Sequence, residues 1–146
     1  MSNLEVKALR SIVKGGGWYP LLHQTTNLGD DGAPTAYIRA VFYLPFKCRI
    51  KSAAITARDA GSNITANATD YTTLDLQQGT TSFVTPLTTA TVNLTAGTWR
   101  TFTIDTNGDE VLAAGTAIRL VGTASTTSVG DLSTYFVAIQ LGIEPA

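Results

Sequence analysis

The stretch of sequence that decides the fold runs from residue 46 to residue 79 and reads FKCRIKSAAITARDAGSNITANATDYTTLDLQQG. Its first part alternates apolar and basic side chains, in the order Phe46, Lys47, Cys48, Arg49, Ile50 and Lys51. A period of two is typical of a strand that buries one face and exposes the other. Beyond Ser52 the apolar residues fall on odd numbers, from Ala53 to Ala57. Because a slip of one residue turns every side chain over, we expect a bulge or a change of sheet near Ser52.

The second part of this stretch predicts a return strand. The turn-forming run DAGSNITANAT separates it from the first strand. Leu74 and Leu76 then alternate with three polar residues, Thr73, Asp75 and Gln77. We expect the two strands to form a half-exposed antiparallel pair, with Asp75 facing water.

Strand patterns recur along the rest of the chain. Residues 37–44 read YIRAVFYL, a β-prone run that ends before Pro45. Residues 18–28 suit an irregular or an edge strand, because Pro20 removes a ladder donor. The clearest alternation closes the chain, where one face carries Tyr135, Val137, Ile139, Leu141 and Ile143. About seven to nine short strands between Gly, Thr and Asn turns predict an all-β fold, a jelly-roll-like antiparallel β-sandwich, with residues 18–146 as one domain.

The N-terminal residues 1–17 are expected to form a separate arm. Its apolar residues are Leu4, Val6, Ala8, Leu9, Ile12 and Val13. They fit either a helical stripe or, at the start, strand alternation, and both interpretations stay open. The triple glycine at 15–17 is expected to act as a hinge, since a glycine run is costly in any regular element. Two placements fit such an arm: it folds over its own domain, or it adds a strand to a partner's exposed edge.

The net charge is −1, but the first 58 residues carry eight basic and only three acidic side chains. These bases are neither numerous nor interleaved with aromatic residues, so we expect no nucleic-acid partner. For the basic strand face of Lys47, Arg49 and Lys51, two interpretations stay open. It is a solvated face, or it contacts an acidic protein surface such as a neighbouring copy.

No apolar run has the length of a signal peptide or approaches the ~20 residues of a membrane span. We therefore expect a soluble chain that is made in a cytoplasm, with no membrane partner. The single cysteine, Cys48, excludes an internal disulfide and suits a small buried hydrophobic residue.

The pattern of reactive side chains predicts no enzyme and no bound cofactor. The only histidine, His23, is separated from Cys48 by a proline, a loop and a strand, whereas nucleophilic catalysis needs such groups within hydrogen-bond reach. One histidine and one cysteine cannot form a closed zinc site. Asp105, Asn107 and Asp109 alternate as in the start of a calcium loop, but Glu110 stands where such a loop needs glycine. We therefore expect no metal site there and a turn with side-chain hydrogen bonds instead.

Three short motifs together resemble small β-sandwich structural proteins of tailed-bacteriophage virions. They are IKSAAI at 50–55, ITANATDY at 64–71 and LAAGTAIRL at 112–120, while residues 18–44 match no motif of that family. The resemblance implies a capsid decoration, or cement, protein that is made in the bacterial host cytoplasm and carried on the capsid surface. It also implies a homo-oligomer, with a trimer favoured, and the major capsid protein as partner. The contacts expected for these partners are Leu4, Val6, Leu9, Ile12 and Val13 of the arm and the basic residues Lys47, Arg49 and Lys51.

The alternative function is a carbohydrate- or receptor-binding module of a phage fibre or tail on the same fold. Such a module needs exposed aromatic rings presented as a platform, with polar groups beside them. The candidates for that platform are Trp18, Tyr19 and Trp99.

Overall fold

The computed structural model describes residues 19–25, 36–59, 63–105, 110–125 and 135–146. These residues form eleven β-strands. The six longer strands are β1 (Tyr19–Thr25), β2 (Ala36–Tyr43), β3 (Cys48–Asp59), β4 (Thr72–Gln78), β10 (Ala117–Ala124) and β11 (Tyr135–Pro145). Five two-residue strands lie between them: β5 (Thr81–Ser82), β6 (Val84–Thr85), β7 (Leu87–Thr88), β8 (Arg100–Thr101) and β9 (Thr103–Ile104).

The strands form two main antiparallel sheets that enclose one core. Sheet A has the order β1-β11-β3-β8, and sheet B has the order β2-β10-β4-β5, with β7 also paired to β4. A small pair, β6 with β9, completes the topology. The buried faces of both sheets contribute to a single hydrophobic cluster, which includes Ile50, Ile55, Leu74, Leu120 and Ile139. The predicted all-β antiparallel sandwich is thus confirmed.

The change of phase near Ser52 is a β-bulge, as predicted. Ser52 lies opposite Gly142 on β11, whereas Ile50 lies opposite the next residue, Ile143, so Lys51 is the extra residue. Ile50 and Ala53 therefore both point into the core although they differ by an odd number. The bulge lets one strand of 12 residues keep its apolar side on the core along its whole length.

The predicted pairing of the strands within residues 46–79 is wrong. β3 lies in sheet A between β11 and β8, and β4 lies in sheet B between β10 and β5. Both strands carry apolar faces of similar pattern because both face the same core, but from opposite sides. The connection of residues 60–71 is much longer than a tight hairpin turn, and a long connection lets the chain cross between sheets.

Asp75 is on the outer face of sheet B but does not face water, contrary to the prediction. It is only 9% exposed. Its two carboxylate oxygens accept hydrogen bonds from Ser82 Oγ at 2.7 Å and from Gln77 Nε2 at 2.8 Å. The chain reverses after β4 and places β5 beside it, which brings Ser82 over the carboxylate. The alternation along β4 could not predict that Asp75 is covered, because Ser82 belongs to a later segment of the chain.

The strands that flank three connections begin or end at the same end of the sandwich, which we call the loop end. These connections are residues 26–35 between β1 and β2, residues 60–71 between β3 and β4, and the segment between β10 and β11. The pairs Asp59–Tyr135 in sheet A and Thr72–Ala124 in sheet B mark this end. The short link of residues 44–47 joins β2 to β3 at the opposite end, so the two sheets have their loop ends on the same side.

The predicted arm and its glycine hinge, residues 1–17, lie outside the described residues. Leu4, Val6, Leu9, Ile12 and Val13 therefore stay predicted contacts. The domain begins, within the described part of the chain, at Tyr19 on β1.

Candidate functional site

The two sides of the sandwich are closed very differently. On one side the sheets end in the two-residue strands β8 and β5, and the pair of β6 with β9 lies nearby. Short edge strands offer little backbone for another chain to pair with. On the other side the sheets end in β1, with seven residues, and β2, with eight. No strand of the described ranges pairs with the outer edge of either one.

These two long edge strands carry exposed apolar side chains. Leu22 on β1 is 60% exposed, and Ile38 and Tyr43 on β2 are 56% and 69% exposed. β1 and β2 approach each other at this side of the molecule, where Leu22 projects from the outer face of sheet A and Ile38 and Tyr43 project from the outer face of sheet B. We call this surface, made by β1 and β2, the open side. It combines unpaired backbone groups with apolar side chains, which is the combination that favours pairing with another chain.

A second bulge explains why β2 exposes large side chains. Phe42 lies opposite Ile118 on β10, but Ala40 lies opposite the next residue, Arg119, so Val41 is the extra residue. Val41 and Phe42 are both buried. The shift of phase leaves Ile38 and Tyr43 on the outer face of sheet B, where a regular strand of this sequence would put one of them inside.

An unpaired guanidinium nitrogen lies next to the open side. Arg119 on β10 has Ala40 of the edge strand on one side and Gln77 of β4 on the other. Its Nε atom is buried and makes no hydrogen bond with any described residue. A buried donor of this kind is costly, and an acceptor supplied by a second chain would satisfy it.

The predicted basic face lies on the outside of sheet A. Lys47 is exposed, and Arg49 and Lys51 are half-buried. Glu144 lies opposite Arg49 on β11, and its carboxylate is 3.5 Å from Lys51 Nζ. The face is therefore less positive than its sequence alone indicates, because an acid from the end of the chain pairs with it. Whether these bases contact a partner stays a prediction.

The basic face and the open side share the outer surface of sheet A. Leu22 lies opposite Gln140 on β11, which in turn lies opposite Ala54 on β3. Two strand spacings, roughly 10 Å, thus separate β1 from the strand that carries Arg49 and Lys51. Arg58 continues the outer row of β3, with its guanidinium 5.0 Å from the ring centroid of Phe136. A partner on this surface would meet apolar and basic groups together.

His23 and Cys48, the pair considered for nucleophilic catalysis, are not brought together. β1 and β3 lie on the two sides of β11. His23 on β1 is opposite Ile139, and Cys48 on β3 is opposite Pro145, which is six residues further along β11. That offset corresponds to roughly 20 Å along the strand. Burial raises the pKa of the Cys48 thiol to about 11, so it stays protonated at neutral pH. In the described residues no three or more His, Cys, Asp or Glu side chains lie close enough to hold a metal ion, and Asn107 and Asp109 of the rejected calcium loop lie outside them.

Two of the three residues expected in an aromatic platform lie at opposite edges of one sheet. Tyr19 begins β1, whereas Trp99 immediately precedes β8, and these strands are the opposite edges of sheet A. Three strand spacings, roughly 14 Å, separate those edges. Trp99 is exposed, and Trp18 lies outside the described residues.

Sequence reasoning missed the residues that make the open side. The signal for β1 was present, since Pro20 predicts an edge strand and β1 is one. Nothing comparable marks β2, whose bulge at Val41 depends on how β10 packs against it.

Comparison with known protein families, with characterised proteins and with solved structures finds no match for this chain. Within the described ranges no helix has the length and hydrophobicity needed to cross a bilayer.

Proposed function

We propose that this chain is a non-enzymatic structural protein of a bacteriophage virion, a capsid decoration protein that binds the assembled shell and stabilises it. The motif resemblance supports this proposal, and so does the open side. A decoration protein works through contact surfaces, and β1 and β2 each have an edge that no strand of the described residues pairs with, beside Leu22, Ile38 and Tyr43. This observation carries the proposal.

The binding free energy available at the open side suits many weak contacts on a lattice better than a single strong complex. Complete burial of one large apolar side chain contributes about 1.5–3 kcal/mol, and the three side chains are each about 60% exposed. Their burial would contribute roughly 3–5 kcal/mol before the cost of association, which is at least about 4 kcal/mol, so a single contact is expected to bind more weakly than the millimolar range. Many symmetric copies on one shell would convert such weak contacts into firm attachment. Binding only the assembled form would then stabilise it by mass action.

The proposal assigns two contacts to two partners. The major capsid protein is met by the arm of residues 1–17 and by the basic face of Lys47, Arg49 and Lys51. Neighbouring copies meet at the open side, where an acceptor from one copy reaches Arg119 of the next. A homotrimer is the expected assembly.

The test combines the full chain with shells assembled from the major capsid protein of the same phage. Co-sedimentation is expected for the full chain and is lost when residues 2–14 are deleted, while circular dichroism shows that the shortened chain is still folded. Decoration that survives the deletion would rule out the arm contact.

A second measurement examines the open side. Ile38→Lys and Tyr43→Lys are expected to weaken co-sedimentation with assembled shells, because each places a charge among apolar groups. The matched control is Val111→Lys, which charges an exposed apolar residue away from β1 and β2. Decoration that is unchanged by both substitutions would refute the assigned contact.

A further inference from the structure

A cleft lies at the loop end of sheet B, away from the basic face. Its volume is about 480 Å³, and it is lined by residues of two segments, 68–73 before and within β4 and 123–125 at the end of β10. Clefts of this size commonly hold small molecules. The ends of β-sandwiches where several connections converge are also frequent sites of recognition.

The lining of the cleft is uncharged and rich in hydroxyl groups. Besides two alanines it consists of Thr69, Tyr71, Thr73, Thr123 and Ser125. Each of these side chains pairs a hydroxyl group with carbon surface, the methyl groups of threonine and the ring of Tyr71. A ligand that fits such a surface is neutral, carries many hydroxyl groups and presents C–H faces between them.

Hydrogen bonds hold the wall of the cleft in place. Ser125 Oγ donates to the Thr69 carbonyl at 3.1 Å and accepts from the Tyr71 N–H at 3.3 Å. The Ser125 N–H donates to the Tyr71 carbonyl at 2.8 Å. Asn67 Oδ1 accepts from the N–H and the hydroxyl of Thr69, both at 3.0 Å. A wall that is fixed in advance spares a ligand part of the ordering cost.

Three hydroxyl groups of the cleft remain uncommitted. The side chains of Tyr71, Thr73 and Thr123 make no hydrogen bond with any residue that the structure describes. Thr73 and Thr123 lie directly opposite each other on β4 and β10, so they project from the same face with their Cβ atoms about 5 Å apart. Each uncommitted hydroxyl can both donate and accept, as the hydroxyl groups of a sugar ring do.

We propose that this cleft binds a neutral sugar, a pyranose unit whose hydroxyl groups pair with Thr73 and Thr123 while Tyr71 contacts its ring. The site shares no residue with the open side or with the basic face, so it does not depend on the proposed structural role. It also differs from a platform of Trp18, Tyr19 and Trp99, because it uses the loop end of sheet B.

The test is an NMR titration of the full chain with methyl glycosides of glucose, galactose, mannose and N-acetylglucosamine. At least one is expected to give saturable shifts of the amides of residues 71–73 and 123–125, with Kd in the millimolar range. Thr73→Val and Thr123→Val keep the shape of the cleft but remove one hydroxyl each, and each should weaken binding by about five- to tenfold. Tyr71→Phe tests the third hydroxyl in the same way.

The control variant is Thr101→Val, an exposed strand threonine on the outer face of sheet A, which should bind as the unmodified chain does. Glucose 6-phosphate is the charged probe and should bind no more tightly than the methyl glucoside, since no basic side chain lines the cleft. Tighter binding of a longer oligosaccharide than of its terminal glycoside would assign the site to a glycan. The proposal is overturned if no glycoside gives saturable shifts at these amides, or if the valine variants bind it unchanged.

Discussion

Replacing either of two adjacent buried threonines by valine is expected to change the free energy of unfolding, but in opposite directions for the two positions. Thr72 is 0% exposed and Thr89 is 3% exposed. The Thr72 hydroxyl is buried without a hydrogen-bond partner in the described part of the chain. The Thr89 hydroxyl accepts the Thr72 backbone N–H at 2.8 Å, and the Thr89 N–H donates to the Thr72 carbonyl at 2.9 Å.

The expected magnitudes follow from these partners. Thr72→Val removes an unsatisfied buried hydroxyl and keeps the backbone bonds, so the free energy of unfolding should rise by about 1 kcal/mol. Thr89→Val leaves the Thr72 N–H buried without its acceptor, so that free energy should fall by about 1–3 kcal/mol. The two variants should therefore differ by roughly 2–4 kcal/mol although each replaces a threonine by valine.

The assay is urea unfolding followed by circular dichroism, supported by the thermal midpoint, which moves by about 2–4 °C per kcal/mol in a chain of this size. Thr101→Val is the exposed control and should change the free energy by less than about 0.5 kcal/mol. The double variant should be close to additive, because the bond lost in Thr89→Val uses a backbone N–H that valine at position 72 retains. Destabilisation by Thr72→Val, or equal shifts in the two single variants, would refute the reasoning.

Three further predictions concern a thiol, an ion pair and a turn. The unfolded-state pKa of Cys48 is near 9.0, and burial raises the folded-state pKa to about 11. The contribution of the buried thiol to the free energy of unfolding is therefore complete below pH 9 and falls by up to roughly 3 kcal/mol as pH rises towards 11. Urea unfolding across that range should show a steeper loss of stability than in Cys48→Ala, and equal slopes would contradict the burial. Glu144→Gln should lower the free energy of unfolding by less than about 1 kcal/mol, since the 3.5 Å contact with Lys51 is partly exposed, and a larger effect in the same assay would show a stronger pair. Gly115→Ala should lower the thermal midpoint, with a cost of about 1–2 kcal/mol, because φ at Gly115 is +81°, and an unchanged midpoint would exclude that conformation.

Alternation in the sequence predicted the strands well where one face of the strand packs on the core and the other faces outward, as in any sandwich. The alternation in β3 and β11 gave the correct buried faces, and the odd step at Ser52 located the bulge. In each case the free energy gained by burying one apolar face outweighs other local preferences, so the pattern is sufficient.

Sequence patterns predicted less of the candidate site than of the fold. The basic face was found because charge and alternation coincide on one strand, but its partner Glu144 lies at the other end of the chain. Ile38 and Tyr43 were not identified, since their exposure depends on the bulge at Val41. The cleft joins residues 68–73 to residues 123–125, and no sequence pattern links these two segments.

The sequence by itself determined the class of the fold and the buried faces of β3 and β11, and it favoured an irregular or edge position for β1, because these follow from the period of two and from the missing donor of Pro20. Tertiary structure alone decided that β3 and β4 lie in opposite sheets, that Asp75 is covered by Ser82, and that β1 and β2 form sheet edges without a further partner strand among the described residues. The physical reason is that alternation reports which face of a strand is apolar. It does not report which strand lies beside it, since every strand that faces the same core carries the same signal.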